Sequence, residues 1–175
     1  MPRCVMTVLA ILLAAPIGAA AQSGDPPNLV VISERLTTSG QPPLAWLDKL
    51  KGNGYDAVIY LAPATVPDAV RDEPLTVSRQ GLIFVNIPIR WEAPTAEDVR
   101  TFSAVLTALG QRKVHVHCQL NYRASSMVFL HRTLVGGEDP GQAYDAVSRV
   151  WSPTGAWRRL LQDQLNARGI TFDVF

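Results

Sequence analysis

The sequence lacks an excess of charge of either sign. Its 175 residues include 16 basic and 15 acidic side chains, which gives a formal net charge of +1 at pH 7. No basic face, acidic tail, low-complexity segment or internal repeat stands out along the chain. Proteins that bind nucleic acid usually carry a basic patch, so nucleic acid is not expected as a partner.

A long uninterrupted apolar stretch is also missing. The most apolar run covers residues 5–20, is interrupted by Pro16 and Gly18, and is short for a membrane span. The run follows Arg3 and leads into three alanines that end at Ala21. A short positive region, an apolar stretch and a small-residue end are typical of a secretory signal peptide.

This pattern divides the chain into two parts. Residues 1–21 are predicted to be a signal peptide, and residues 22–175 to be a single domain with room for a sizeable core. We therefore expect an exported protein that is periplasmic or secreted. The alternative is an uncleaved N-terminal anchor, in which case the protein would contact a membrane through its leader alone.

Cysteine is scarce, with Cys4 and Cys118 as the two examples in the chain. Cys4 precedes the apolar run, so it is not placed to be the lipid-modified first residue of a lipoprotein, and cleavage would remove it. Exported proteins usually pair their cysteines in disulfides. A lone Cys118 therefore indicates a reactive thiol or one that awaits an intermolecular partner. The alternative is a small buried hydrophobic residue that ends a strand.

Ligands for a metal ion are missing as well. His115 and His117 are two residues apart and face the same side of a predicted strand. No cluster of Cys, Asp or Glu adjoins them at ligand spacing, so we expect no metal and no cofactor. His117 is predicted to hydrogen-bond within the loop that follows and to support a thiolate, and His115 to pack against a neighbour.

What the sequence does contain, in residues 114–126, is a strand that ends in a thiol, a tight loop and an apolar helix. The start of a helix leaves backbone N–H groups unpaired and carries the positive end of the helix dipole, and both favour oxyanions. Cys118 would lie at this point, where Arg123 also favours the thiolate. The Arg123 guanidinium matches two oxygens of a tetrahedral anion. Nucleophile, amides and guanidinium together predict attack on phosphorus.

This stretch resembles the cysteine-dependent protein tyrosine and dual-specificity phosphatases, whose signature is His-Cys, five residues, and then Arg with Ser or Thr. His117, Cys118 and Arg123 match the signature. Only four residues separate the thiol from the arginine, the usual loop glycine is absent, and Ala124 follows the arginine. Asn121 can replace the glycine, because Asn tolerates the left-handed conformation better than most residues.

The resemblance implies hydrolysis of a phosphate ester, on a protein or a small molecule, through a cysteinyl-phosphate intermediate. Cys118 would be the nucleophile, and Arg123 and the loop amides would bind the phosphoryl oxygens. The predicted substrate-binding residues are Gln119, Leu120, Asn121, Tyr122, Arg123 and Ala124. Ser125, or else Ser126, would hydrogen-bond the thiolate, with capping of the helix as the alternative role.

A proton donor for the leaving group is implied by the same resemblance. In these phosphatases an aspartate on a mobile loop upstream of the signature protonates the leaving group. The corresponding stretch is residues 90–94, where Glu92 is the candidate acid. Glu97 and Asp98 are rivals, although carboxylates in a first helical turn also stabilise the helix N-terminus, and Asp98 is predicted to form a capping box with Thr95. Three further aspartates are expected to be solvated charges far from the site: Asp56, Asp68 and Asp72.

Strands alternate with helices through the first two-thirds of the chain. This predicts an α/β fold with a parallel or mostly parallel central sheet flanked by helices, as in dual-specificity phosphatases. Ligands bind such sheets beyond the carboxyl ends of the strands, where Cys118 would lie. Strands are predicted at residues 28–32, 55–61, 82–87 and 114–118, the third of them buried. Helices are predicted at 44–50, 96–109, 124–135, 140–152 and 156–167.

Turn-forming residues and prolines predict the structure of two further segments. Residues 33–43 are a turn by composition, and their Ser-Gly-Gln-Pro sequence at 39–42 is similar to a segment of small phosphatase-like domains. Residues 63–81 are predicted to form a helix that Pro67 can start and Pro74 interrupts.

Two other functions stay open at this point. A loop with four residues between Cys and Arg also resembles the rhodaneses, which transfer sulfur through a cysteine persulfide. Loop length favours this alternative, whereas the His117–Cys118 pair, the Trp91–Glu92 segment and the later helices favour the phosphatase. The second alternative is a non-catalytic domain that binds a phosphorylated or sulfated ligand.

Overall fold

The computed structural model describes Met1 and residues 24–175. Cys4 and the rest of the predicted signal peptide after Met1 lie outside the described residues. The described part of the chain forms one five-stranded sheet. Its strands are β1 (Val30–Ser33), β2 (Leu36–Ser39), β3 (Ala57–Tyr60), β4 (Ile83–Asn86) and β5 (Val114–His117). No helix in this range is long and apolar enough to cross a membrane.

Helices cover both faces of the sheet. They are α1 (Leu44–Leu47), α2 (Glu73–Arg79), α3 (Ala96–Leu109), α4 (Tyr122–Leu134), α5 (Pro140–Ser148) and α6 (Gly155–Asn166). The capping box predicted at the start of α3 is present. Thr95 Oγ1 accepts a hydrogen bond from Asp98 N at 3.1 Å, and Thr95 N donates to Asp98 Oδ2 at 2.8 Å.

The strand order places β5 in the middle of the sheet. Neighbouring strands follow the order β1-β2-β5-β3-β4. The pairs β2–β5, β5–β3 and β3–β4 are parallel, and β1 is antiparallel to β2. The predicted mostly parallel α/β fold is therefore confirmed. Cys118 directly follows β5, so it lies at the centre of the carboxyl edge of the sheet.

The two faces of the sheet bury two separate apolar clusters. Successive side chains of a strand point to opposite faces. On β3, Ala57 and Ile59 belong to the larger cluster, and Val58 belongs to the smaller one, which also contains Leu47 of α1 and Val77 of α2. The larger cluster joins residues of α3, α4, α5 and α6. His115 and His117 lie on the α1–α2 side of β5, because Val114 and Val116 belong to the larger cluster on the other side.

The turn predicted for residues 33–43 is partly wrong, since Leu36–Ser39 forms strand β2 beside β5. Thr37, Thr38 and Ser39 made this stretch polar enough to resemble a loop. Their hydroxyls are buried against side chains that are distant in sequence. Thr37 and Ser39 contact the ring of His115, and Thr38 accepts a hydrogen bond from Asn121.

Two other local predictions are corrected. Helix α2 begins at Glu73 and not at Pro67, and Pro74 lies in its first turn instead of interrupting a helix, because a proline there removes an N–H that has no helical partner anyway. The strand at residues 82–87 was predicted to be buried, yet β4 is at the edge of the sheet and Ile83 is 40% exposed. A continuous apolar run does not distinguish an edge strand from a central one.

Candidate active site

Cys118 opens the loop between β5 and α4. It is 1% exposed, and its exposed atoms line a cavity of about 220 Å³. The other lining residues are Trp91, Gln119, Leu120, Tyr122 and Arg123. Four of the six predicted substrate-binding residues therefore lie at the cavity, and the other two, Asn121 and Ala124, are fully buried.

The loop presents several free backbone donors. The backbone N–H groups of Gln119, Leu120 and residues 122–124 have no hydrogen-bond acceptor within the described residues, and the first helical bond of α4 is Ser125 N to Asn121 O at 2.9 Å. Helix α4 has 13 residues and adds the positive end of its dipole at the same point. These donors surround the space beside Cys118 and can bind a tetrahedral oxyanion.

Asn121 gives the loop its shape. Its φ angle is +70°, the left-handed conformation that the sequence predicts for the residue in place of glycine. Its Nδ2 donates to the carbonyl of Asn28 at 2.7 Å and to Thr38 Oγ1 at 3.0 Å. Asn28 Nδ2 donates in return to the carbonyl of Leu120 at 3.0 Å. The loop is therefore held to the segment before β1 and to β2.

The Ser-Gly-Gln-Pro segment packs directly on the loop. Gln41 N donates to the carbonyl of Gln119 at 3.0 Å. A Cβ atom at Gly40 would lie 2.7 Å from Gln119 O, closer than real Cβ atoms come to an oxygen. Glycine is thus required at position 40 by close approach of two backbone segments.

Arg123 is buried without a countercharge. It is 5% exposed, and no carboxylate within residues 24–175 forms an ion pair with it. Its Nε donates to the carbonyl of Ile89 at 3.1 Å and its Nη1 to Gln119 Oε1 at 3.3 Å. The guanidinium carbon lies 5.2 Å from the centre of the Trp91 ring. A buried charge is costly when unpaired, so this arrangement favours an anion in the cavity.

Aromatic side chains form one wall of the cavity. Trp91 stacks on Trp157 with ring centres 5.6 Å apart, and Tyr122 stacks on Trp151 at 4.7 Å. Trp157 Nε1 donates to the carbonyl of Trp91 at 3.0 Å, which fixes the segment that carries Trp91. This cluster shields the Arg123 side of the cavity from water.

The prediction that His117 hydrogen-bonds within the loop is wrong. Its Nε2 lies 2.6 Å from Oε1 of Glu73, the first residue of α2, and both side chains are almost fully buried. The ring is stacked on Tyr60, with centres 4.8 Å apart. Burial, and then the Glu73 carboxylate, raises the pKa of Tyr60 well above its usual range. Sequence reasoning missed Glu73, because a glutamate before a proline at a helix start is usually solvated.

His115 packs against its neighbours, as predicted. Ser39 Oγ donates to the carbonyl of Gly40, so it accepts from His115 Nε2 at 2.9 Å, and Nδ1 then accepts from Thr37 Oγ1 at 2.8 Å. These partners define the Nε2–H tautomer of a neutral imidazole. Burial, followed by the neighbouring His117, lowers the pKa of His115 well below its usual value.

The predicted acids occupy different positions. Glu92 follows Trp91, but its side chain is exposed and does not line the cavity. Asp98 is engaged in the capping box and Glu97 pairs with Arg100, so both serve the start of α3. The aspartate at position 68 was expected to be far from the site, which is wrong. Its Oδ1 accepts a hydrogen bond from Gln119 Nε2 at 2.7 Å.

The two serines after the loop are buried in the first turns of α4. Ser125 Oγ donates to the carbonyl of Tyr122 at 3.3 Å, and Ser126 Oγ has no partner within the described residues. Neither hydroxyl is bonded to the thiol in this arrangement. A hydroxyl rotates easily, so a hydrogen bond from Ser125 or Ser126 to the Cys118 thiolate stays a prediction.

Comparison with known proteins places these features in context. Residues 22–160 match a family model described as DSP-PTPase phosphatase fused to NAD+ kinase. A crystal structure named as a DUF442 phosphatase, from Shewanella putrefaciens CN-32, is 30% identical, has a TM-score of 0.74, and aligns over 82% of this chain and 92% of that chain. No curated protein sequence matches the chain.

Two more distant structures are similar in fold alone. The core catalytic domain of the PP-IP phosphatase SIW14 from S. cerevisiae is 13% identical with a TM-score of 0.65, over 81% of this chain and 85% of that chain. Tk-PTP in its active form is 20% identical with a TM-score of 0.61, over 81% and 95% of the two chains.

Proposed function

Because the chain belongs to the DSP-PTPase phosphatases, the family whose model it matches over residues 22–160, we propose that Cys118 and Arg123 carry out its reaction. The reaction is hydrolysis of a phosphate ester through a cysteinyl-phosphate intermediate. Family membership favours the phosphatase over the rhodanese-like alternative. The observation that carries the assignment of residues is the set of five free amides and an unpaired buried guanidinium beside one thiol.

The proposed reaction has two displacements at phosphorus. In the first, Cys118 Sγ forms a bond to phosphorus, the ester P–O bond breaks, and an acid gives the leaving oxygen its proton. In the second, a water attacks phosphorus, the S–P bond breaks, and the water proton returns to the acid. The free amides of the loop and the Arg123 guanidinium hold the three non-bridging oxygens, where charge builds up in each transition state.

Glu92 is the proposed acid, because it directly follows the cavity residue Trp91. Asp68 is its rival, because Gln119 joins it to the loop. An acid matters most for a leaving group of high pKa, so a series from nitrophenyl to alkyl phosphates distinguishes the two. Glu92→Gln should lose more activity on alkyl than on nitrophenyl phosphate, by roughly tenfold or more. The same pattern in Asp68→Asn, with Glu92→Gln unaffected, would reject Glu92.

Phosphorylated Cys118 is the direct test of the proposed function. Rapid-quench mass spectrometry after mixing with an aryl phosphate should show one added phosphate on Cys118. Cys118→Ser should abolish turnover and keep the binding of inorganic phosphate. Unchanged turnover in Cys118→Ser would refute the assignment. Phosphate binding without hydrolysis of any ester would support the non-catalytic alternative, and a persulfide formed from thiosulfate would support the sulfurtransferase.

Export is proposed from the N-terminal sequence. Arg3, the apolar run of residues 5–20 and the three alanines ending at Ala21 support cleavage of a signal peptide, which would leave residues 22–175 as a periplasmic or secreted enzyme. Its substrate would then be a phosphorylated protein or small molecule outside the cytoplasm. N-terminal sequencing of the protein from fractionated cells tests this, and an intact Met1 in the cytoplasmic fraction would contradict it.

A further inference from the structure

Glu73 is a buried carboxylate that the reaction described above does not use. It is 1% exposed, and no Lys or Arg within residues 24–175 forms an ion pair with it. Removing a carboxylate from water costs several kcal/mol unless its oxygens find partners. Its two oxygens have one partner each. Oε1 lies 2.6 Å from His117 Nε2, and Oε2 accepts from Gln41 Nε2 at 2.9 Å.

Both partners are covalently or directly connected to the start of the catalytic loop. His117 immediately precedes Cys118. Gln41 donates its backbone N–H to the carbonyl of Gln119, the residue after the thiol, at 3.0 Å. Glu73 therefore contacts both His117 and Gln41, which hold the backbone on either side of Cys118.

The contact between Glu73 and His117 is a close one between two buried side chains, with Oε1 and Nε2 2.6 Å apart. The contact with Gln41 is a hydrogen bond, which Glu73 Oε2 accepts. Glu73 therefore limits where both side chains can lie.

We propose that Glu73 is a positioning residue for the phosphatase reaction, which holds His117 and Gln41 so that the Cys118 thiol and the loop amides face the same phosphoryl group. This inference rests on the proposed function of the loop. A misplacement of about 1 Å at a reacting centre can cost roughly a hundredfold in rate. Loss of the Glu73 bridge should therefore lower kcat more than it alters KM.

Glu73→Gln is the informative substitution, because it conserves the volume of the buried side chain. An amide has one oxygen, so it can present an oxygen to His117 or to Gln41 but not to both. We expect kcat on an aryl phosphate to fall by roughly ten- to a hundredfold. The double variant Gln41→Glu with Glu73→Gln restores the pattern, since the new amide can present its oxygen to His117 and donate to the new carboxylate. We expect it to recover kcat to within about threefold of wild type.

A second measurement does not depend on turnover. The rate of iodoacetamide labelling at Cys118, resolved from Cys4 by mass spectrometry, reports the placement of the thiol, and protection by inorganic phosphate reports the placement of the amides. Glu73→Gln should weaken phosphate protection by roughly tenfold or more. If the wild type hydrolyses no phosphoester, the proposed function fails, yet the protection experiment still decides the role of Glu73.

Controls separate positioning from folding. Glu34→Gln changes an exposed carboxylate with no described partner and should match the wild type in kcat, phosphate protection and thermal unfolding. Gln41→Met removes one of the two contacts and keeps the carboxylate, so it gives a folded variant with a smaller loss in the same direction. The proposal is overturned if Glu73→Gln stays within threefold of wild type in both readouts. It is also overturned if the double variant is no better than Glu73→Gln alone.

Discussion

Replacing Arg123 with lysine tests the anion site most directly. Arg123→Lys keeps one positive charge but removes the planar fork. In the structure Nε donates a hydrogen bond to the carbonyl of Ile89 and Nη1 donates to Gln119 Oε1, while the face of the guanidinium packs on Trp91. These contacts leave the other edge of the guanidinium for a phosphoryl group. A lysine ammonium has no planar edge and lacks the contacts that hold it in place.

The expected loss can be estimated from the bonds removed. A hydrogen bond to a charged group contributes about 1.5–3 kcal/mol. The lysine variant would lose one of the two hydrogen bonds to the phosphoryl group, and the remaining bond would be less well oriented. Loss of one transition-state donor costs about 3–4 kcal/mol, which corresponds to a hundredfold to thousandfold fall in kcat/KM. We expect the fall mainly in kcat, because charge on the phosphoryl oxygens grows in the transition state.

Steady-state kinetics on an aryl phosphate measures this loss. Arg168→Lys is the matched control, because Arg168 is exposed and its side chain has no hydrogen-bond partner within residues 24–175. Circular dichroism and thermal unfolding show whether each variant is folded. A folded Arg123→Lys protein within threefold of the wild-type kcat/KM would refute the reasoning, since it would show that the guanidinium fork does not bind the reacting group.

Three further predictions concern the supports of the site. Gly40→Ala should lower kcat by roughly tenfold or more, because its Cβ would lie 2.7 Å from Gln119 O and displace the loop; normal kinetics would show that the contact is not needed. Asn121→Ala should lower the free energy of unfolding in urea by about 2–4 kcal/mol, from left-handed strain and two lost hydrogen bonds, and Asn121→Gly should lose less. An equal loss in the alanine and glycine variants would refute a stabilising role for asparagine's tolerance of the left-handed φ angle at position 121. Burial lowers the pKa of His115 in the folded protein. Below about pH 6.5 the unfolded chain therefore binds a proton at His115 that the folded protein does not, so the free energy of unfolding should fall with decreasing pH by up to about 1.4 kcal/mol per unit. His115→Gln should flatten this slope, and an unchanged slope would contradict it.

Several features could be read from local sequence because their physical cause is local. The Thr95–Asp98 capping box satisfies its donors within one helical turn. The free amides of residues 122–124 follow from a strand, a short loop and a helix in succession, since no first-turn N–H has a helical partner. Asn121 could be assigned a left-handed conformation from its residue type and its place in the loop. The resemblance to the phosphatases depended on three residues of this same stretch, and the family is confirmed.

Other features depend on groups that are distant in the chain. The hydroxyls of Thr37 and Ser39 made β2 resemble a turn, and only the burial of His115 beside them explains a polar strand in the sheet. Pro74 is compatible with both a helix break and a helix start, and the packing of α2 decided for the start. The contact of the carboxylate at position 68 with the loop joins residues 51 positions apart, which no local pattern indicates.

By itself, the sequence determined the thiol, the guanidinium and the amides that surround them, because strand, loop and helix bring these groups together within about a dozen residues. Tertiary structure alone decided what surrounds the loop. The order of the strands places β5 at the centre, packs Gly40 against Gln119, and carries Glu73 from α2 to the ring of His117. Burial makes each of these contacts necessary, because a polar group removed from water needs a partner, and the fold selects which distant residue provides it.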